Sequence, residues 1–488
     1  MFTPFRPYYL IFVVAAQVLH FFTNATGQDI DLKVEIHAEK PSVVSVTGRF
    51  PNAKADFQHR NLSFLRSYAG FDRLGERIAG LALKNKNGEP VAYQTAVPGE
   101  YVTDAPFVEW SYTVDLSYRK EQNAAAHISW IGSENGILML GDMLPLFGDS
   151  GKPVSARARI VLPNGWRQMD NRIDDTLITE DVASEIVAIG KDLRFRTVHA
   201  GGTAIMICIA GEWLFTSDEI TSFARDVYSK TRETFGSNAS EKVFVNIFRF
   251  PQNAAHGQWQ AETRGRNVTI ISSDMPFKTQ SLQRLHEQLR HEMFHLWIPN
   301  GVNLSGNYDW FYEGFALYAS LKTAVAMNQI RFGDFLDTIS RARAIDARQT
   351  NRLSLIEASA TRWSGADTYV YARGMVTAFL CDILLLHSSK GKRSLNDVFR
   401  ELHAKHKYPN ARMDGNAAVL EILKKNSELE QIVAKYVKGS GKFEWRSEIN
   451  FAGLEAKNGL AVLPKLTGRQ KDLLDRLGYN NWRRLTLR

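Results

Sequence analysis

The stretch Ser281–Gly301, SLQRLHEQLRHEMFHLWIPNG, decides how the rest of this 488-residue chain is read. Leu282, Leu285, Leu289, Met293 and Leu296 recur at helical spacing and set an apolar face toward a core, while Pro299 and Gly301 stop the helix. His291 and His295 are four residues apart, so their imidazoles lie one turn from each other on the side opposite Leu289. Two imidazoles so placed can share one metal ion. Glu292, one position past the first of them, can reach a metal-bound water without binding the metal. Zinc lowers the pKa of such a water to about 7, and the carboxylate takes its proton as the water attacks a carbonyl. Matches with three fixed positions in five also arise by chance, so a third ligand is the discriminating feature.

Glu313 is that candidate. It follows His295 after seventeen intervening residues, enough for a second helix to return beside the first, and Asp309 is placed to cap that helix. Its surroundings, WFYEGFALYA, are almost wholly apolar, and an ionised carboxylate buried there is costly unless paired or bound to metal. Gly314 leaves room for a close helix approach. A solvated first-turn glutamate favoured by the helix dipole is the competing reading.

Working outward, the chain is 44% hydrophobic and 23% charged, a globular composition long enough for several cores. Its net charge of +8 is spread along the sequence, without the basic run or stripe that nucleic-acid binding requires, so no nucleic-acid partner is expected. Residues 1–27 read as an export signal: Arg6, a mostly apolar run from Leu10 to Phe22, then Ala25-Thr26-Gly27. The run is shorter than the roughly 20 residues a bilayer needs, so a periplasmic or extracellular protein without stable membrane insertion is expected. Cys208 and Cys381 lie far apart in apolar surroundings and read as buried free thiols. Asn267-Val268-Thr269 is a glycan acceptor triplet wherever the source attaches glycans.

Short β-rich runs broken by turn residues, among them DLKVEIHAE, SVVSVTGRF, WSYTVDLSY and ARIVLP, make residues 28–203 a β-rich N-terminal domain. AIMICIAG, KVFVNIFRF and NVTIISS, with a helix over 217–235, open a mixed unit at 204–330. A helical domain is expected at 331–458 and a short tail at 459–488. The fold class is α+β.

HEMFHLW, WFYEGFALY, SLIEASATRW, YVYARGMVTAFLCDILL and SLNDVF follow one another in this chain. In order, spacing and flanking residues they resemble the successive signatures of the glycyl aminopeptidase family of gluzincin metallopeptidases, in weaker form from about Asp31 to Asn458. The resemblance implies a thermolysin-like catalytic domain and one Zn2+ held by His291, His295 and Glu313, with Glu292 as general base. It also implies Tyr371, in Tyr-Ala-Arg-Gly where the family has Tyr-x-Lys-Gly, as donor to the oxyanion; locally, Tyr371 could equally be a packing residue like Tyr369. Related aminopeptidases carry a Gly-rich, Glu-containing strand before the metal helix. Here HGQWQAETRGRNVTII keeps Gly257 and Glu262 as candidate substrate-binding residues, with Thr263 in place of the usual histidine. If Glu262 binds the α-amine of a peptide substrate, an aminopeptidase releasing small or apolar N-terminal residues follows. If it is a charge balanced by Arg264 and Arg266, an endopeptidase follows equally. A PDZ domain, appended in many members, does not fit after Gly459, and tethering by one is not expected. A non-catalytic peptide-binding relative is the reading from another class, and the β-rich region as a carbohydrate-binding module is compatible with any of these.

Overall fold

The computed structural model describes residues 29–53, 59–121, 124–146, 153–169, 172–173 and 176–481; the expected export signal and residues 482–488 lie outside them. The alternating runs of the first half form the expected strands, with apolar residues on one face and polar residues on the other. Ile30–Ile36, for example, buries every second residue. It pairs antiparallel with Val43–Arg49 and parallel with Ala156–Val161 inside an eight-stranded sheet. Two four-stranded sheets complete this N-terminal unit, closed around Phe64, Phe107, Trp110 and Tyr112.

A five-stranded sheet follows, in the order Arg194–Ala200, Thr203–Ile209, Lys242–Arg249, Asn267–Ser272, Trp259–Arg264. Ser217–Phe235 is the crossover helix between two parallel strands. It starts at a capping box of Thr216 and Glu219 and ends on Gly236 at φ 73°, a left-handed position that suits glycine. The boundary expected at 203 falls within this sheet, because Arg194–Ala200 pairs along its whole length with Thr203–Ile209. Trp259–Arg264 is the edge strand, antiparallel to its neighbour.

Lys278–His295, the histidine helix, packs under that edge. Its first turns are amphipathic, but every residue from Gln288 to His295 is buried, so it is enclosed on all sides where the metal motif lies. The next helix begins with a π-helical turn, Trp310–Phe315, and continues as Ala316–Ala326. Asp309 does not cap it: its backbone is already helical and its side chain makes no cap bond; Arg362 takes the carboxylate instead. Asp367–Ser388 is apolar and long enough to span a bilayer by composition alone, yet 89% of its most apolar window is buried inside the protein, as in a central core helix. One continuous core runs from Ala200 to Leu477. The expected tail is part of it, since Gly468–Leu477 buries Leu473, Leu474 and Leu477. Cys208 and Cys381 are free and buried. Asn267 is also buried and bonded to the Ser184 carbonyl, which leaves no room for a glycan.

Candidate active site

The histidine helix and the π-helical turn bring three ligand atoms together at the floor of a cleft of about 610 Å³. His291 Nε2 lies 3.1 Å from His295 Nε2 and 3.1 Å from Glu313 Oε2, and His295 Nε2 lies 3.4 Å from that oxygen. Ligands about 2.0–2.1 Å from a tetrahedral ion would stand roughly 3.3 Å apart, so the spacing fits one small cation. The donor set fits it too. His295 Nδ1 faces the Ile298 carbonyl at 3.0 Å, which leaves the lone pair on Nε2. The two inward nitrogens and a carboxylate are all buried, an arrangement that a shared cation relieves. Glu313 is buried, which alone would raise its carboxyl, but Arg362 and the histidines hold it well below the usual range.

The edge strand supplies the cleft wall. Thr263 donates from its hydroxyl to Glu292, whose Oε2 and backbone carbonyl both lie at 2.8 Å, and so orients the candidate base. Glu262 also lines the cleft, and it is not a solvated charge. Arg264 contacts both of its oxygens, at 3.0 and 3.1 Å, and the Tyr68 hydroxyl donates to Oε1. Arg266 is turned away toward Glu185. Gly257 is not among the cleft residues. It sits in the turn before the edge strand at φ +73°, where an added Cβ would strike Met275, so its role there is a backbone one.

Tyr371 and Tyr369 part company. Tyr369 donates to the Leu353 carbonyl inside the core, whereas Tyr371 lines the cleft with its ring 6.2 Å from that of His291. Burial, then the Glu313 carboxylate, pushes the Tyr371 hydroxyl well above its ordinary range, which keeps it a neutral donor. The sequence assigns no role to two further groups. Arg362, in the short turn Arg362–Ser364, binds Glu313, Asp309, Asp367 and Tyr371 at once. Tyr68, Ala69 and His127 reach the cleft from the N-terminal unit, a contribution that only the tertiary fold creates.

No family model matches the sequence, and no curated protein is similar to it. Solved structures share its fold. An aminopeptidase N family protein from Idiomarina loihiensis superposes with a TM-score of 0.74 over 87% of this chain and 78% of that one, at 13% identity. An M1 zinc metallopeptidase from Deinococcus radiodurans gives 0.57 over 85% and 94%, at 15% identity. A variant of an M1 zinc metallopeptidase from the same organism, bound to a Tyr-Ser-Ala substrate, gives 0.56 over 84% and 93%, at 16% identity. The chain thus shares the fold of these structures, with a β-rich N-terminal region, a mixed region that carries the site and a helical C-terminal region.

Proposed function

We propose that this chain is an exported zinc peptidase, acting as an aminopeptidase on peptides with small or apolar N-terminal residues. The observation that carries the peptidase reading is the convergence of His291, His295 and Glu313 to the spacing of one cation's ligands, with Glu292 and Tyr371 in the same cleft. Zinc bound there supplies an acidified water and polarises the scissile carbonyl. Glu292, steadied by Thr263, accepts the water's proton and passes it to the leaving amine. Tyr371 donates its hydroxyl hydrogen to the carbonyl oxygen as charge builds there.

The exopeptidase preference rests on Glu262. Its Oε1 carries Tyr68 and Arg264, whereas Oε2 carries a single Arg264 N–H. A carboxylate oxygen with that load keeps acceptor capacity for an ammonium. The compensation by Arg264 favours the second reading, an endopeptidase, because it offsets the charge an α-amine would seek. Export is supported by the composition of residues 1–27.

Glu292→Gln should retain zinc after dialysis and lose turnover by roughly 10²–10⁴-fold, the usual weight of a general base. Peptide hydrolysis at the wild-type rate in that variant would end the proposal.

A further inference from the structure

Resting on the zinc-peptidase reading, one buried group deepens it. Arg362 is 7% exposed and sits between two parts of the site that chemistry requires to be aligned. Its Nη1 donates to Glu313 Oε1 at 2.9 Å and to Asp309 Oδ1 at 3.0 Å. Its Nη2 donates to the Tyr371 hydroxyl oxygen at 2.8 Å, and its Nε donates to Asp367 Oδ1 at 2.8 Å. We infer that Arg362 is a positioning residue that fixes both the third metal ligand and the oxyanion donor through one rigid guanidinium.

The two bonds that matter act in different ways. Glu313 has its carboxylate divided: Oε1 is held by Arg362, while Oε2 faces both histidines. That division presents one oxygen to the cation and stops the group from rotating. Outer contacts of this kind commonly change metal affinity by about 10–100-fold. At Tyr371 the oxygen already accepts from Arg362, so the hydroxyl hydrogen is directed away from the guanidinium. The planar fork delivers both bonds with a fixed angle between them, which a lysine ammonium cannot do.

The turn that carries the guanidinium is itself anchored. Ser354 and Glu357 form a capping box that starts the short helix Leu355–Ala360, and Ser359 Oγ accepts from the Trp310 amide at 2.9 Å. The guanidinium lies 4.4 Å from the centre of the Trp363 ring and 5.1 Å from that of Tyr371.

The test compares wild type, Arg362→Lys, Arg362→Ala, Tyr371→Phe and the Arg362→Ala/Tyr371→Phe double variant. Zinc affinity is read by chelator competition, kcat and KM under zinc saturation, and unfolding midpoints without metal. Arg362→Lys should unfold close to the wild type, bind zinc about 10-fold more weakly and lower kcat with KM little changed. The double variant should lose far less kcat than the product of the single losses, since both substitutions act through the same Tyr371 hydroxyl. The inference is overturned if Arg362→Lys and Arg362→Ala bind zinc as the wild type does, or if kcat losses multiply. Should Arg362→Ala fail to fold, Arg362→Lys alone decides by its zinc affinity and kcat. A wild type that holds no zinc and cleaves no peptide would instead remove the peptidase reading itself.

Discussion

His403 lies edge-on to Phe235, with ring centroids 5.8 Å apart, and is 7% exposed. Burial first, then Lys407, pushes its pKa from 6.5 to about 4. His286, beside Arg290 in the histidine helix, is pushed to about 3 by burial and then by that arginine. Between pH 6.5 and these values the unfolded chain holds protons that the folded chain refuses, so stability falls as pH drops through that window and is flat above it. Metal-free protein should therefore lose stability between pH 7 and pH 4.5. His403→Phe should remove on the order of 2 kcal/mol of that loss in denaturant titrations at the two pH values; an unchanged pH dependence would refute the assignment. Residues of this kind were opaque in the sequence, because their shifts come from neighbours distant along the chain. The metal ligands were legible for the opposite reason: His291 and His295 are set by helical periodicity, and Glu313 by the cost of leaving a carboxylate in apolar surroundings. Nothing in Ser-Ala-Thr-Arg-Trp reveals that the turn of Arg362 closes over Glu313. Asp309 has the sequence position of a cap, but its partner is Arg362, 53 residues away.

The helices that carry Glu313 and Tyr371 cross at two glycines. A Cβ on Gly314 would stand 2.5 Å from the Gly374 Cα, and one on Gly374 would stand 2.7 Å from the Trp310 carbonyl oxygen and 2.8 Å from the Gly314 Cα. These neighbours are backbone atoms, so relief requires one helix to move. Gly374→Ala is expected to destabilise the protein by about 2 kcal/mol, the usual cost of forcing extra volume into a packed core. It should also weaken zinc binding, because the Tyr371 helix is pushed from the Glu313 helix. A variant with wild-type denaturation midpoint and zinc affinity would show that the crossing tolerates a methyl group. Sequence exposed one half of this contact, Gly314 beside the ligand, but not Gly374, which lies sixty positions on. The π-helical turn was invisible as well, since Trp-Phe-Tyr-Glu-Gly-Phe has no pattern separating a wide turn from an α-helical one.

At the scale of the molecule the cleft lies between the two halves of the chain, and the proposed peptide selectivity depends on both. Tyr68 and His127 come from the N-terminal unit, Glu262 and Arg264 from the edge strand, and Trp363 from the turn opposite. Arg264 ties the halves together: its guanidinium lies 4.6 Å from the Tyr68 ring centre and donates to the His127 carbonyl at 3.2 Å. His127 and Trp363 meet edge to face across the opening, centroids 5.9 Å apart. The Tyr68–Glu262–Arg264 cluster places an acceptor oxygen beside aromatic side chains, the arrangement on which the proposed preference for a free N-terminus rests. Free peptides should be cleaved at least 10-fold faster than their N-acetylated forms, as one charge-assisted hydrogen bond is worth about 1.5 kcal/mol or more. Glu262→Gln should erase most of that ratio while retaining zinc, with the remaining hydrolysis directed at both substrates alike. Equal rates on free and acetylated peptides in the wild type would favour the endopeptidase and make Glu262 the structural partner of Arg264.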